Sequence, residues 1–297
     1  MNFPGRFGDH ILPEKIHQIN LSFIVNKFAK RRGGTAGNVS YTMALLSSPH
    51  ILFSVAGKDF SEYGKVFKEL KINLDNVLID KNNYTSTGFA MTDKKDNQIW
   101  GYFYGASERI KDLSLKKVAS KKDLILIGPS GAEGSMSFVK QAVKLGTSYM
   151  FDPGFILTQV SDKDLKLGVE NAQYLIGNDY EINIIKTRIK DWKKIFAEKI
   201  IITTFGEKGA IIETAKKTYK ILTAKPQKIA DPTGAGDAWR GGFLAGLERG
   251  FDLQVCGQMG SIASVYAVEN YGSQEHKYTK KEFENRYRQN FNSLIKL

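Results

Sequence analysis

Leu124-Ile125-Leu126-Ile127-Gly128-Pro129, then Ser135 to Leu145, then Tyr149-Met150-Phe151-Asp152-Pro153-Gly154: this stretch decides the fold. An apolar run cut off by Gly-Pro reads as a buried strand. Ser135 to Leu145 reads as a helix with a serine cap at its start and Gly146 after its end. Tyr149-Met150-Phe151 is a second strand, stopped by Asp-Pro-Gly. The rhythm continues outward: Tyr174-Leu175-Ile176 and Ile200-Ile201-Ile202-Thr203-Thr204 are further strands with helical segments between them. Strands alternating with helices predict an α/β protein, a parallel sheet with helices on both faces.

Two segments break the rhythm. Lys15 to Val25 carries a β-like run, and Ser86 to Tyr104 reads as a hairpin with a polar turn at Asp93 to Asn97. The expectation is a small β-sheet lid formed by residues 11–26 and 84–105, on a single domain of residues 1–297. The turn is expected to be an exposed tip that tolerates truncation. The lid aromatics Phe89, Trp100, Tyr102 and Phe103 either stack on a base or pack a small core of the lid's own.

Composition sets outer bounds. The chain has 297 residues, 42% hydrophobic and 25% charged, as in ordinary globular proteins. No apolar run is long enough for a membrane span, and no secretory signal is visible. Cys256 is the only cysteine, which excludes an internal disulfide and points to a cytoplasmic setting. The net charge of +12 comes from scattered pairs such as Lys94-Lys95 and Lys193-Lys194, with one dense run from Lys27 to Arg32. No nucleic-acid-binding motif accompanies them, so small anionic ligands are the expected partners, not nucleic acid.

The residues that carry chemistry lie late in the chain. Asp231-Pro232-Thr233-Gly234-Ala235-Gly236-Asp237 opens a helix through about Leu247. N–H groups at a helix start are unpaired and partly positive, so Gly234, Ala235 and Gly236 suit an anion hole. Asp237, expected to be held ionised in the first turn, either caps the helix or accepts the proton of an attacking hydroxyl. Arg32-Gly33-Gly34-Thr35-Ala36-Gly37-Asn38 opens a helix over Val39 to Leu46, where Asn38 offers a donor and an acceptor. Asn178-Asp179-Tyr180-Glu181 follows a strand. It is either a capping box or a set of oxygen ligands suited to Mg2+ through water. Thr204-Phe205-Gly206-Glu207-Lys208-Gly209 is a strand end that either contacts phosphate or makes a hairpin. There is no Walker A loop, no GxSxG elbow and no zinc spacing among His10, His17, His50 and His276.

Together and in this order, these elements resemble the PfkB, or ribokinase-like, family of carbohydrate and nucleoside kinases. The resemblance implies a Rossmann-like three-layer α/β/α sandwich with a β lid, and an enzyme that moves a phosphoryl group from ATP to a hydroxyl. It implies Asp237 as catalytic base and Gly234, Ala235 and Gly236 as anion hole. Gly34, Asn38 and Asp237 itself would touch the acceptor, and Asn178, Thr204, Gly206 and Gly209 the nucleotide, with Glu181 organising Mg2+ through water. Asp237-Ala238-Trp239-Arg240, Pro4 to His10 and Tyr271 to His276 look more like prokaryotic adenosine or broad nucleoside kinases. The expected acceptor is therefore an adenosine-like nucleoside. The alternatives are a sugar kinase of ribokinase, fructokinase or ketodeoxygluconate kinase type, or a catalytically weak nucleotide-binding homologue. The resemblance leaves open a monomer or a lid-mediated homodimer.

One departure stands out. The family opens with an apolar strand, then a glycine and an aspartate that grips the acceptor. Met1-Asn2-Phe3-Pro4-Gly5 is already past that strand, and Asp9 lies too far along. The expectation is that this strand is missing, that Met1 is an internal methionine, and that the chain as given is poorly stable and binds its acceptor weakly.

Overall fold

A computed structural model of the protein describes residues 1–11, 21–95 and 97–297. Early in the chain come α1 (Thr35–Leu45), β1 (Ser54–Gly57), α2 (Ser61–Glu69), β2 (Val77–Asp80), β3 (Thr87–Thr92) and β4 (Gln98–Phe103). Then follow β5 (Leu124–Ile127), α3 (Ala132–Leu145), β6 (Ser148–Phe151), α4 (Asp162–Glu170), β7 (Tyr174–Asn178), α5 (Asp179–Arg188) and α6 (Trp192–Phe196). The chain ends with β8 (Ile200–Thr204), β9 (Ala210–Glu213), β10 (Thr218–Ile221), α7 (Ala235–Glu248), α8 (Leu253–Val268) and α9 (Lys280–Phe291).

The main sheet has the order β10-β9-β8-β7-β6-β5. Strands β5 to β8 are parallel, as expected, while β9 and β10 add an antiparallel edge. The alternation of side chains along each strand builds two cores. Tyr149, Phe151, Leu175 and Ile201 point to one face, against Phe138 and Val139 of α3, Leu165 of α4 and Ile182 of α5. Met150, Tyr174, Ile176 and Ile202 point to the other, against Trp239 and Phe243 of α7 and Cys256 of α8. The sandwich is thus three layers, and no helix among the described residues is long and apolar enough to cross a membrane.

Helix α3 starts earlier than the sequence suggests. Gly131 occupies the N-cap at φ 74°, and Gly146 closes the helix in the left-handed region as expected. Ser135 lies inside the helix; its Oγ accepts the Ser130 N–H and donates to the Gly128 carbonyl. It therefore braces the preceding turn instead of capping. Helix α7 survives its glycines because they are where other helices come close. A Cβ on Gly241 would meet Thr42 of α1 at 2.6 Å, and one on Gly242 would meet the Met259 carbonyl of α8 at 2.6 Å. That close approach of α1 to α7 assembles the site.

The lid is present in part. Strands β3 and β4 form the expected antiparallel hairpin, with Ala90 opposite Trp100. Asn2 bridges both Thr92 and Lys27, so the chain start lies alongside the hairpin. Leu21 to Val25 form no strand, and the rest of the expected 11–26 strand, residues 12–20, lies outside the described residues. Phe3, Phe7, His10 and Phe23 pack together as the lid's own cluster. The hairpin turn is not a free tip. Asp93 is 5% exposed, and its carboxylate accepts the N–H groups of Phe7 (2.9 Å), Lys95 (2.8 Å) and Asn97 (3.0 Å). Burial raises its pKa, but these donors outweigh it and bring the value down to about 2. The expectation of an exposed tip therefore fails at Asp93, which ties the chain start to the hairpin.

Among the described residues the sheet is interrupted. β1 and β2 form a separate parallel pair, and no ladder hydrogen bonds join it to β5. Yet Val55 of β1 and Ile127 of β5 belong to one core, and Phe53 packs on Phe138 of α3 with ring centroids 5.6 Å apart. Two pieces of parallel sheet share a core without sharing an edge.

Candidate active site

The α7 N-terminus fixes the corner. Gly234 is its N-cap at φ 82°, a conformation that disfavours side chains. A Cβ there would also lie 2.3 Å from that of Ser273. Asp231 anchors the turn from both sides: Oδ1 accepts the Thr233 N–H and Oδ2 the Gly272 N–H. The Ala235 N–H donates to the Pro232 carbonyl at 3.1 Å. An anion would therefore find the N–H groups of Gly234 and Gly236 ahead of that of Ala235.

Asp237 sits in the first turn of α7, half-buried, and its Oδ2 accepts the Asn38 side-chain N–H at 2.7 Å. Asn38 is 6% exposed, and its Oδ1 accepts from Ser273 Oγ (2.9 Å) and Gln274 Nε2 (2.8 Å). Two donors on Oδ1 fix which end of the amide faces the carboxylate. Gln274 also donates to the Tyr63 hydroxyl, which donates to the Gly33 carbonyl at 2.8 Å. A continuous chain of hydrogen bonds thus runs from the Gly33-Gly34 loop to the candidate base. Gly34 caps α1 at φ 90°.

Burial raises the Asp237 pKa above the usual carboxylate range, while Arg240 and the Asn38 hydrogen bond oppose the rise. The carboxylate is thus less easily ionised than the helix start alone suggests. Arg240 lies one turn on, 8% exposed. Its Nε and Nη2 donate to the two oxygens of Asp152 at 2.5 and 2.8 Å, and its Nη1 donates to the Gly236 carbonyl at 3.0 Å.

Asn178 and Glu181 do form the capping box: each side chain accepts the other's N–H at 2.8 Å. The box lies at the C-terminal end of β7, and Glu181 feels both Asp152 and Arg240. Burial is the main cause of its raised pKa. Thr204 is paired with Asn178 across the β7–β8 ladder. Gly206 (φ 59°) and Gly209 (φ 92°) turn the chain from β8 into β9, so this segment is a hairpin that opens on the same end of the sheet. The carboxyl ends of parallel strands are where open α/β sheets bind ligands.

The structure adds Ser273, Gln274, Tyr63, Arg240 and Asp152 to the residues read from sequence. Arg240 had a legible signal, three positions after Asp237 on one helix face, and Asp152 another, just past a strand's end. Ser273 and Gln274 lie in the Tyr271–His276 stretch singled out by its resemblance, but no sequence signal ties them or Tyr63 to Asn38, because only tertiary packing brings them together. The lid aromatics do not pack a core: Phe89, Trp100 and Tyr102 are 53%, 41% and 68% exposed. Trp100 stacks on Tyr102, and Tyr102 on Phe155, just beyond Asp152.

Residues 7–280 match the family described as pfkB family carbohydrate kinase. The nucleoside kinase of Methanocaldococcus jannaschii is 32% identical over 270 residues, covering 88% of this chain and 87% of that protein. The nucleoside kinase of Burkholderia thailandensis in complex with inosine superposes with a TM-score of 0.90 at 28% identity, covering 99% of this chain and 96% of that one. The same enzyme with ADP and inosine gives 0.87 at 31% identity, covering 100% and 93%.

Proposed function

Because the chain belongs to the pfkB family of carbohydrate kinases and is a phosphotransferase acting on a hydroxyl, we propose that its acceptor is a nucleoside, adenosine-like in its purine base, and its donor ATP. The observation that carries this reading is the Asn38–Asp237 contact at the glycine-rich start of α7, where a base and an anion hole adjoin. Asp237 accepts the proton of the hydroxyl as its oxygen bonds to phosphorus. The bond from phosphorus to the leaving nucleotide oxygen breaks, and the N–H groups of Gly234 and Gly236 hold the transferring group. Gly34 and Asn38 position the acceptor. Asn178, Thr204, Gly206 and Gly209 line the donor side.

Mg2+ fits this corner as a water-bridged ion. Among the described residues no three His, Cys, Asp or Glu side chains cluster to hold a metal directly. Glu181 offers a carboxylate at the strand ends, and Mg2+ prefers substrate phosphates and water to an all-protein cage. Bound there, it would neutralise phosphate charge.

The relatives named as nucleoside kinases favour this acceptor over a plain sugar. The stacked Trp100, Tyr102 and Phe155 supply an aromatic surface suited to a base. ADP release measured with ATP, Mg2+ and a panel of adenosine, inosine, guanosine, cytidine, ribose, fructose and 2-keto-3-deoxygluconate tests the assignment. Purine nucleosides should give the highest kcat/KM. A sugar exceeding every nucleoside would overturn it.

A further inference from the structure

We propose that Arg240, clamped by Asp152, is a positioning residue that keeps the Asp237 carboxylate charged and aimed at the acceptor. The proposal rests on Asp237 being the base. It starts from geometry. Residues three apart on a helix share a face, so the Arg240 side chain leaves α7 on the Asp237 side. Instead of extending to solvent, the guanidinium folds back along its own helix, and Nη1 reaches the carbonyl of Gly236, the residue before Asp237. A Cβ on Gly236 would lie 3.0 Å from that nitrogen, so the cation is pressed against the turn that carries the base. Asp152 takes the other side of the fork with both oxygens and fixes the plane of the guanidinium.

A buried ion pair gives little net stability, because desolvation offsets the attraction, and an apolar pair of similar volume often does as well. A pair of this kind beside a base has a better account in what it does to the base. The charges at this corner are unbalanced. Asp237 of α7, Asp152 beyond β6 and Glu181 of α5 are all carboxyl groups within range of Arg240. Among the described residues, the Asn38 amide of α1 and the Tyr63 phenol of α2, with Arg32 beyond it, face it from other elements. Burial disfavours the Asp237 anion, and Arg240 is the largest opposing influence, ahead of Asn38. Asp152 pushes the other way, more weakly. Its part is therefore mechanical: it holds the cation in place.

The test is the pH dependence of kcat/KM for the nucleoside. Arg240→Met alone strands a buried Asp152 carboxylate, so the double variant Asp152→Asn/Arg240→Met, which removes both charges, accompanies it. In either variant the acidic limb should move to higher pH by about one unit, with activity recovering under alkaline conditions and ADP affinity little changed. Arg240→Lys, which keeps the charge and loses the fork, should fall between. A folded double variant whose acidic limb superimposes on the wild type would overturn the proposal. So would a uniform loss at every pH, which marks a structural role alone. Asp237→Asn run alongside separates the two ideas: if that variant keeps its turnover, the assignment of the base fails instead.

Discussion

Around Asp237 the chain packs fitted polar groups. Asn38 is 6% exposed with every polar atom directed, and Arg240 is held on three sides. At the hairpin, Phe89, Trp100 and Tyr102 are largely exposed, and β4 has no buried residue. The two regions meet at one segment: Asp152 clamps Arg240, and Phe155, three residues on, stacks against Tyr102. On the proposed function, the difference follows from what each would do. A proton acceptor must be preorganised, because misplacement is costly in rate. A lid must open to admit its substrate, so its apolar surface is left uncovered until one arrives. The rigid region should therefore govern kcat and the hairpin KM.

The largest expected effect is at the base. Asp237→Asn should lower kcat by about 10²–10⁴ in steady-state ADP release. Retained turnover would erase the distinction between the regions. Next is Gly234→Ala, which forces a side chain into a left-handed turn against Ser273. Losing an anion-hole donor costs about 10² in kcat, and the nucleoside KM should move far less.

Asp93 belongs to the hairpin side. Asp93→Ala should loosen the chain start from the lid and raise the nucleoside KM more than it lowers kcat. Its pKa lies below the usual carboxylate range, so its contribution is complete above that range and is lost as the pH falls toward about 2. Trp100 emission, followed through an acid titration, should change in that window in the wild type and not in the variant. The smallest effect is Tyr102→Ala. A lost aromatic stack is worth about 0.5–1.5 kcal/mol, or roughly 2–10-fold in nucleoside KM. A larger drop in kcat than in affinity would show that the lid takes part in the chemistry.

Much of this was legible in the sequence. Strands β5 and β8 match their apolar runs residue for residue, because four or five β-branched or leucine side chains between turn signals leave little choice. The Asp231–Asp237 motif pointed to the start of α7, where Asp237 meets Asn38, because its turn and first helical residues are local to one helix start. The start of α3 was misplaced because glycine at an N-cap gives a weaker signal than the nearby serine. The buried role of Asp93 was hidden because a polar turn looks the same whether solvent or the Phe7 N–H faces it. Ser273 and Gln274 reach Asn38 across more than two hundred residues of sequence, a proximity only the fold creates. The strand order was not readable, because the sequence marks where strands lie and not which of them pair.

The division of labour is tested most directly by titrating nucleoside into Asp237→Asn by calorimetry. The account predicts a dissociation constant within about threefold of the wild type, with the heat of binding retained, in a protein whose turnover has collapsed. Loss of nucleoside binding together with turnover would contradict it, placing Asp237 in the grip on the acceptor and not in the proton transfer.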